Sequence, residues 1–221
     1  MQNIENKVFI IENFIDKNTC DFIVDGIDGY AIDDPRRAGF RIGLNLNTAA
    51  ALSLLDKSPL FPPSDDIEYK MATDKINNIV NKIIETISNF YKINYTLKTL
   101  NYTVMGPGTS NRIHADNKYV SESGEIKDRT SETEDRSVLL YLNDNYTGGE
   151  IYFPKLNFEI KPKPGTLIFF EGNEDTLHGV KEIQDGSRIN LISFLWPVEY
   201  AGRIPDIIDG VESLEFPINT F

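Results

Sequence analysis

The chain has 221 residues, of which 40% are hydrophobic and 25% are charged, a composition typical of a single globular domain. Its net charge of -12 disfavours nucleic acid and anionic membranes as partners. Cys20 is the only cysteine, which excludes an internal disulfide, and no apolar run approaches 18 residues. We expect a cytoplasmic protein without a signal peptide or membrane span, acting as a monomer or homodimer.

The first 95 residues are predicted to form a support of helices and a strand. An apolar strand over 7–15 precedes a helix that Asp16 can cap, because apolar residues recur after Asp16 at helical spacing. A weaker helix candidate covers 47–58, where proline residues follow. The clearest helix covers 66–91, because its isoleucines form one stripe at a period of 3.6 residues.

From Thr96 onward, short segments rich in β-branched and aromatic residues predict strands. The candidates are 96–105, 137–144, 149–153, 157–160, 166–170 and 187–196. Tight turns between them favour antiparallel hairpins, so the sequence predicts a β-sandwich or barrel buttressed by helices on one face. We interpret 1–221 as one domain, with 1–95 as support, 96–197 as the catalytic core and 198–221 as a C-terminal tail.

Three segments have no clear place in this fold. Residues 120–136 are dense in charge and poor in large apolar groups, so they are expected to form either a mobile lid or a passive surface loop. The basic segment 35–41, which contains Arg36, Arg37 and Arg41, is typical of a solvated loop. The tail 198–221 is expected either to pack on the barrel or to join an oligomer interface.

The chain contains only two histidines, His114 and His178. Side chains alternate along a strand, so His114 and Asp116 project from the same face of the strand that holds them. His178 follows the apolar strand 166–170. If the fold brings these segments together, the three residues form a set of two histidines and one carboxylate, which suits Fe(II) with open positions for ligands. Zinc is disfavoured, and ordinary structural histidines are the alternative.

A cation is predicted beside the same site. Arg188 follows His178 by ten residues and opens the last predicted strand. Alternation places five side chains on one face of that strand: Arg188, Asn190, Ile192, Phe194 and Trp196. A guanidinium at the edge of an apolar interior requires an anion, and its planar fork suits a carboxylate. A dicarboxylate cosubstrate that chelates iron at its other end would supply that anion.

Several motifs occur in a fixed order along the chain. They are HAD at 114–116, YLND at 141–144, GGEIYF at 148–153, the segment KPKPGTLIFFEGNEDTLHGV at 161–180, and then Arg188. Together with the opening KVFIIENFIDKNTCDFI, they resemble the 2-oxoglutarate and Fe(II)-dependent oxygenases, and among these the prolyl hydroxylase-like (prolyl 4-hydroxylase) branch. The resemblance covers about residues 7 to 197 and implies a double-stranded β-helix, the jelly-roll or cupin-like fold.

The resemblance also implies roles for individual residues. His114, Asp116 and His178 would ligate Fe(II), and Arg188 would bind the distal carboxylate of 2-oxoglutarate. Tyr141 matches a tyrosine that contacts the same carboxylate in relatives. For Tyr102 two interpretations remain open: a cosubstrate contact through a shifted strand, or a core aromatic residue. Asn111 stands where relatives often have tyrosine, and collagen-type prolyl 4-hydroxylases usually have lysine at the position of Arg188.

The activity implied by the resemblance is hydroxylation of an unactivated C–H bond with O2 and 2-oxoglutarate, and with L-ascorbate as reductant. A prolyl residue in a peptide or protein is the expected substrate, and a free amino acid or small metabolite is the alternative. Two further interpretations stay open: a non-catalytic metal-binding barrel, and a manganese or zinc enzyme unrelated to 2-oxoglutarate.

Overall fold

The computed structural model describes residues 1–33, 38–47, 65–120, 125–128, 136–200 and 213–215. Arg36 and Arg37 of the basic segment, most of the helix candidate 47–58, and most of the segments 120–136 and 198–221 lie outside the described residues. No helix of the described residues is long and apolar enough to cross a membrane.

Two α-helices are present in the described part of the chain, and both begin at the predicted caps. The carboxylate of Asp16 accepts a backbone N–H at the start of α1 (Lys17–Ile27), and Asp66 does the same for α2 (Ile67–Tyr91). Helix α2 ends at Lys92, which adopts a left-handed conformation. Each helix buries one apolar stripe, and the larger stripe comprises Ile76, Ile79, Val80, Ile83 and Ile87.

Sixteen strands are described. Those of the N-terminal half are β1 (Gln2–Ile4), β2 (Val8–Ile11), β3 (Ile32–Asp33), β4 (Phe40–Asn47), β5 (Tyr95–Met105), β6 (Asn111–Val120) and β7 (Ile126–Asp128). Those of the C-terminal half are β8 (Arg136–Tyr141), β9 (Tyr146–Gly148), β10 (Ile151–Phe153), β11 (Phe158–Ile160), β12 (Leu167–Glu171), β13 (His178–Val180), β14 (Ile183–Gly186), β15 (Arg188–Pro197) and β16 (Ser213–Glu215).

The strands form two main sheets. The larger has the order β1-β2-β12-β8-β15-β5-β4-β3, and the smaller has the order β11-β10-β13-β6-β16, with β7 also paired to β6. All strand pairs are antiparallel, including the small pair of β14 and β9. The predicted fold, a mainly β double-stranded β-helix with buttressing helices, is confirmed.

Alternation along the strands of the larger sheet separates two cores. On strand β8, Val138 and Leu140 belong to the core beneath the helices, whereas Leu139 and Tyr141 face the smaller sheet. The helix-side core also contains the buried stripes of α1 and α2. The interior between the sheets is the face that carries the candidate site, so the helices stabilise the site from behind.

Two regions differ from the sequence-based expectation or extend it. Arg41, expected in a solvated loop, lies in strand β4 and pairs with the carboxylate of Asp28 at 2.9 Å. The described part of the tail, β16, pairs with β6 and places Glu215 opposite His114 in the register. This part of the tail therefore lies against the barrel, beside the strand that carries two of the candidate ligands.

Candidate active site

Three candidate ligands come together on the smaller sheet. His114 and Asp116 lie on β6, and His178 is the first residue of β13. These strands are neighbours, and His178 is the register partner of His114. One ligand atom from each of the three residues lies within 4.8 Å of the other two. The sheet register thus joins residues that are 64 positions apart in the sequence.

Both imidazole rings are oriented by backbone carbonyls. Nδ1 of His114 lies 2.8 Å from the carbonyl oxygen of Arg112, and Nδ1 of His178 lies 3.1 Å from that of Thr176. A carbonyl only accepts, so the tautomer with the hydrogen on Nδ1 satisfies each carbonyl, and in that tautomer the lone pair of Nε2 can bind a metal. The Nε2 atoms lie 3.3 and 3.5 Å from the Asp116 carboxylate. Three lone-pair donors therefore converge on one point.

The protonation states also suit a metal. Burial raises the pKa of the Asp116 carboxyl, whereas His178, His114 and the hydroxyl of Ser137 lower it. The lowering effects are the larger, so the pKa of Asp116 lies below its ordinary value. Ser137 donates to Asp116 Oδ2 at 2.6 Å. Burial lowers the pKa of His178 to about 4. The site is thus an ionised carboxylate with a neutral His178, the forms that bind metals.

The donor set fits Fe(II). Two imidazole nitrogens and one carboxylate oxygen approach from the protein side and leave the remaining positions of an octahedron to exogenous ligands. Apolar rings enclose the site on its inner side: the centroids of Phe170 and Phe153 lie 4.8 and 5.7 Å from that of His178. Such a wall limits the access of water to the ligands.

Arg188 is the second charged group of the site. It is only 1% exposed, and its side-chain partners among the described residues are all neutral. Its Nη2 donates to the Tyr141 hydroxyl at 2.6 Å, and its Nη1 lies 3.3 Å from both Asn190 Oδ1 and Met105 Sδ. Its Nε is buried without a hydrogen-bond partner. A buried cation with a spare donor and only neutral neighbours fits the distal carboxylate of 2-oxoglutarate.

Tyr146 on β9 adds a further polar group beside Arg188. Burial raises the pKa of its phenol, against the opposing effect of the Arg188 charge, so the hydroxyl stays protonated. Three features of the site were not predicted from the sequence: Tyr146, Asn190 as a partner of Arg188, and Ser137 as a partner of Asp116. For Asn190 a signal existed, because it shares a strand face with Arg188. For Ser137 and Tyr146 the contacts depend on the tertiary structure.

Tyr102 does not reach this pocket. In the pairing of β5 with β15, Met105 and Thr103 oppose Arg188 and Asn190 and share their face. Tyr102 therefore points to the other face, where it is fully buried in the helix-side core with a hydroxyl that has no hydrogen-bond partner. Of its two interpretations, the structure supports the core aromatic residue and contradicts the cosubstrate contact.

Comparison with known proteins agrees with this geometry. The sequence model of the family described as "2OG-Fe(II) oxygenase superfamily" matches residues 98–196, which include the three ligands and Arg188. The matched segment covers less than half of the chain. A similar curated protein is human prolyl 3-hydroxylase 2, with 39% identity over 87 residues, which are 36% of this chain and 12% of that protein. The chain thus spans a small part of the curated relative that it matches.

Solved structures share the fold of this chain. A prolyl hydroxylase from Trichoplax adhaerens, in complex with a hypoxia inducible factor peptide fragment, superposes with a TM-score of 0.60 at 17% identity, covering 90% of this chain and 87% of that one. The viral collagen prolyl hydroxylase of Paramecium Bursaria Chlorella virus-1 gives 0.54 at 19% identity, covering 89% and 99%. At these identities the likeness shows the fold alone.

Proposed function

We propose that this protein is a 2-oxoglutarate and Fe(II)-dependent oxygenase, that it acts as a hydroxylase, and that its substrate is a prolyl residue in a peptide. The observation that carries the proposal is the pair of complementary sites in one interior. A cluster of two histidines and an aspartate supplies metal ligands, and the buried Arg188 has only neutral side-chain partners among the described residues. A single dicarboxylate 2-oxo acid satisfies both.

The residues of the chain have distinct tasks in this proposal. His114, Asp116 and His178 would hold Fe(II), and Arg188 with Tyr141 would hold the distal carboxylate of 2-oxoglutarate. When bound, iron and 2-oxoglutarate with O2 supply the oxidising chemistry: one oxygen atom enters the substrate C–H bond, and 2-oxoglutarate becomes succinate and CO2. The protein fixes the ligand geometry, orients the cosubstrate and keeps water away from the metal.

The choice of a peptidyl proline is supported by similarity. The matching segment of human prolyl 3-hydroxylase 2 is 39% identical to this chain. The motifs of the sequence resemble the prolyl 4-hydroxylase branch, so oxidation at C3 and at C4 are both compatible with the proposal. We include L-ascorbate as the reductant and a cytoplasmic location in the proposal.

The proposal is tested by incubating the purified protein with Fe(II), 2-oxoglutarate and a panel of proline-containing peptides. The expected result is succinate formation coupled to a gain of one oxygen atom in a peptide, detected by mass spectrometry. Amino-acid analysis of the product separates 3-hydroxyproline from 4-hydroxyproline. A His178→Ala variant is the control. Equal succinate backgrounds for wild type and His178→Ala, across peptides and free amino acids, would contradict the proposal.

A further inference from the structure

Asn190 occupies an unusual place beside Arg188. It is the third residue of β15, it is fully buried, and its amide is the neutral acceptor for the Arg188 guanidinium, with Oδ1 at 3.3 Å from Nη1. Its Nδ2 is also buried but has no hydrogen-bond partner. A buried amide that leaves both of its N–H groups unpaired loses the hydrogen bonds that it makes in water, which is unfavourable unless a ligand supplies an acceptor.

The orientation of the amide follows from its neighbours. Arg188 Nη1 can only donate, and the Thr103 hydroxyl lies 3.5 Å from the same amide atom. The atom that faces these groups is therefore the oxygen, and the amide nitrogen is turned away from Nη1. Because both ends of one amide are adjacent, Nδ2 lies in the same part of the interior as the guanidinium. Nδ2 of Asn190 and Nε of Arg188 are both donors without an acceptor.

We propose that Asn190 is a positioning residue for the cosubstrate. Its Oδ1 holds the guanidinium of Arg188 without neutralising it, and its Nδ2 is an additional donor for the distal carboxylate of the ligand. A carboxylate at the same position would pair with Arg188 internally and compete with the ligand. The neutral amide thus keeps the charge of Arg188 available for a dicarboxylate 2-oxo acid. This inference rests on the proposed function, because it concerns the binding of 2-oxoglutarate.

The test compares two ligands that differ only at the distal end. 2-Oxoglutarate carries the distal carboxylate, and 2-oxopentanoate carries a methyl group in its place. Both are titrated calorimetrically into the Mn(II)-loaded protein, so the readout is binding and needs no turnover. For Asn190→Asp we expect the 2-oxoglutarate Kd to rise about 10- to 100-fold, the size of a lost hydrogen bond to a charged group, and the 2-oxopentanoate Kd to stay within about twofold.

Two further variants complete the design. Asn190→Ala removes the acceptor and the donor without adding a charge. It should raise the Kd of 2-oxoglutarate about tenfold and leave the Kd of 2-oxopentanoate unchanged. Asn78→Asp makes the same chemical change at an exposed position of α2 and should alter neither affinity. Asn190→Asp can also destabilise the core, so Mn(II) affinity and thermal melting are measured for every variant.

The outcomes are distinct. Selective loss of 2-oxoglutarate affinity in both Asn190 variants supports the positioning role. An equal loss of affinity for both ligands, or a loss of affinity for Mn(II), means that Asn190 has only a structural role and overturns the inference. Unchanged 2-oxoglutarate affinity in Asn190→Asp also overturns it. If the wild-type protein binds Mn(II) but not 2-oxoglutarate, the proposed function fails, and this inference fails with it.

Discussion

The Tyr141 hydroxyl offers a direct test of how the cosubstrate pocket works. Tyr141 is fully buried, and its oxygen accepts a hydrogen bond from Arg188 Nη2 at 2.6 Å. The hydroxyl therefore orients the guanidinium and keeps its own O–H for a ligand carboxylate. The substitution Tyr141→Phe removes this one oxygen and preserves the ring, which packs in the core between the two sheets.

The size of the effect follows from the charge and the burial. A hydrogen bond to a charged group contributes about 1.5–3 kcal/mol, which corresponds to about 10- to 150-fold in a dissociation constant. Arg188 is 1% exposed, so water has little access to replace the lost partner. We therefore expect the 2-oxoglutarate Kd of Tyr141→Phe to lie in this range above that of the wild type. The affinity for Mn(II) should not change, because the hydroxyl contacts no candidate ligand of the metal.

Tyr102→Phe is the matched control. Tyr102 is also a fully buried tyrosine of the larger sheet, but it faces the helix side and its hydroxyl has no hydrogen-bond partner. Removing that hydroxyl should leave 2-oxoglutarate affinity unchanged and leave the melting temperature equal or higher. The 2-oxoglutarate Kd of each variant is measured by calorimetry with the Mn(II)-loaded protein. Unchanged affinity in Tyr141→Phe, or an equal loss in Tyr102→Phe, would refute this account of the pocket.

Three other predictions concern the metal site and the core. Ser137→Ala should weaken Mn(II) binding about 10- to 100-fold, because Asp116 loses the hydroxyl that orients it. Chelator competition measures the Mn(II) affinity, and an unchanged affinity would exclude this role of Ser137. Burial raises the pKa of the Cys20 thiol to about 12, so a disulfide reagent should label it only in denaturant, and rapid labelling of the native protein would contradict its burial. Gly179→Ala places a Cβ 2.6 Å from the Tyr152 hydroxyl, so it should lower the free energy of unfolding by about 1–3 kcal/mol in denaturant titrations. A free energy of unfolding equal to that of the wild type would show that the Tyr152 ring moves away without cost.

Local signals made much of the fold predictable. The cap residues Asp16 and Asp66 and the apolar stripe after Asp66 each depend on residues a few positions apart, and both helices begin where these signals predict. The approximate positions of β5, β8, β10, β11, β12 and β15 were also predictable, because β-branched and aromatic residues fill these strands and turn residues separate them. Strand β4 was not, because its pairing with β5 depends on a partner about 60 residues away in the sequence.

The site was predictable where chemistry restricts the choice of residue. With two histidines in the chain, a set of metal ligands that contains two imidazoles must use both. The residues around these groups were not predictable in the same way. Ser137 contacts Asp116 from another sheet, and Tyr146 reaches Arg188 from a separate short strand. For Tyr102 the sequence left two interpretations open, since its face depends on the register of β5 against β15.

We expect one interior of the protein to hold both Fe(II) and 2-oxoglutarate. An anaerobic titration of the protein with Fe(II) and then 2-oxoglutarate tests this, with the metal-to-ligand charge-transfer absorption as the readout. We expect this band in the wild type at one equivalent of iron, its loss in His178→Ala, and a higher 2-oxoglutarate requirement in Arg188→Ala. The absence of the band in the wild type, or an unchanged band in His178→Ala, would show that iron and 2-oxoglutarate do not bind together at this site.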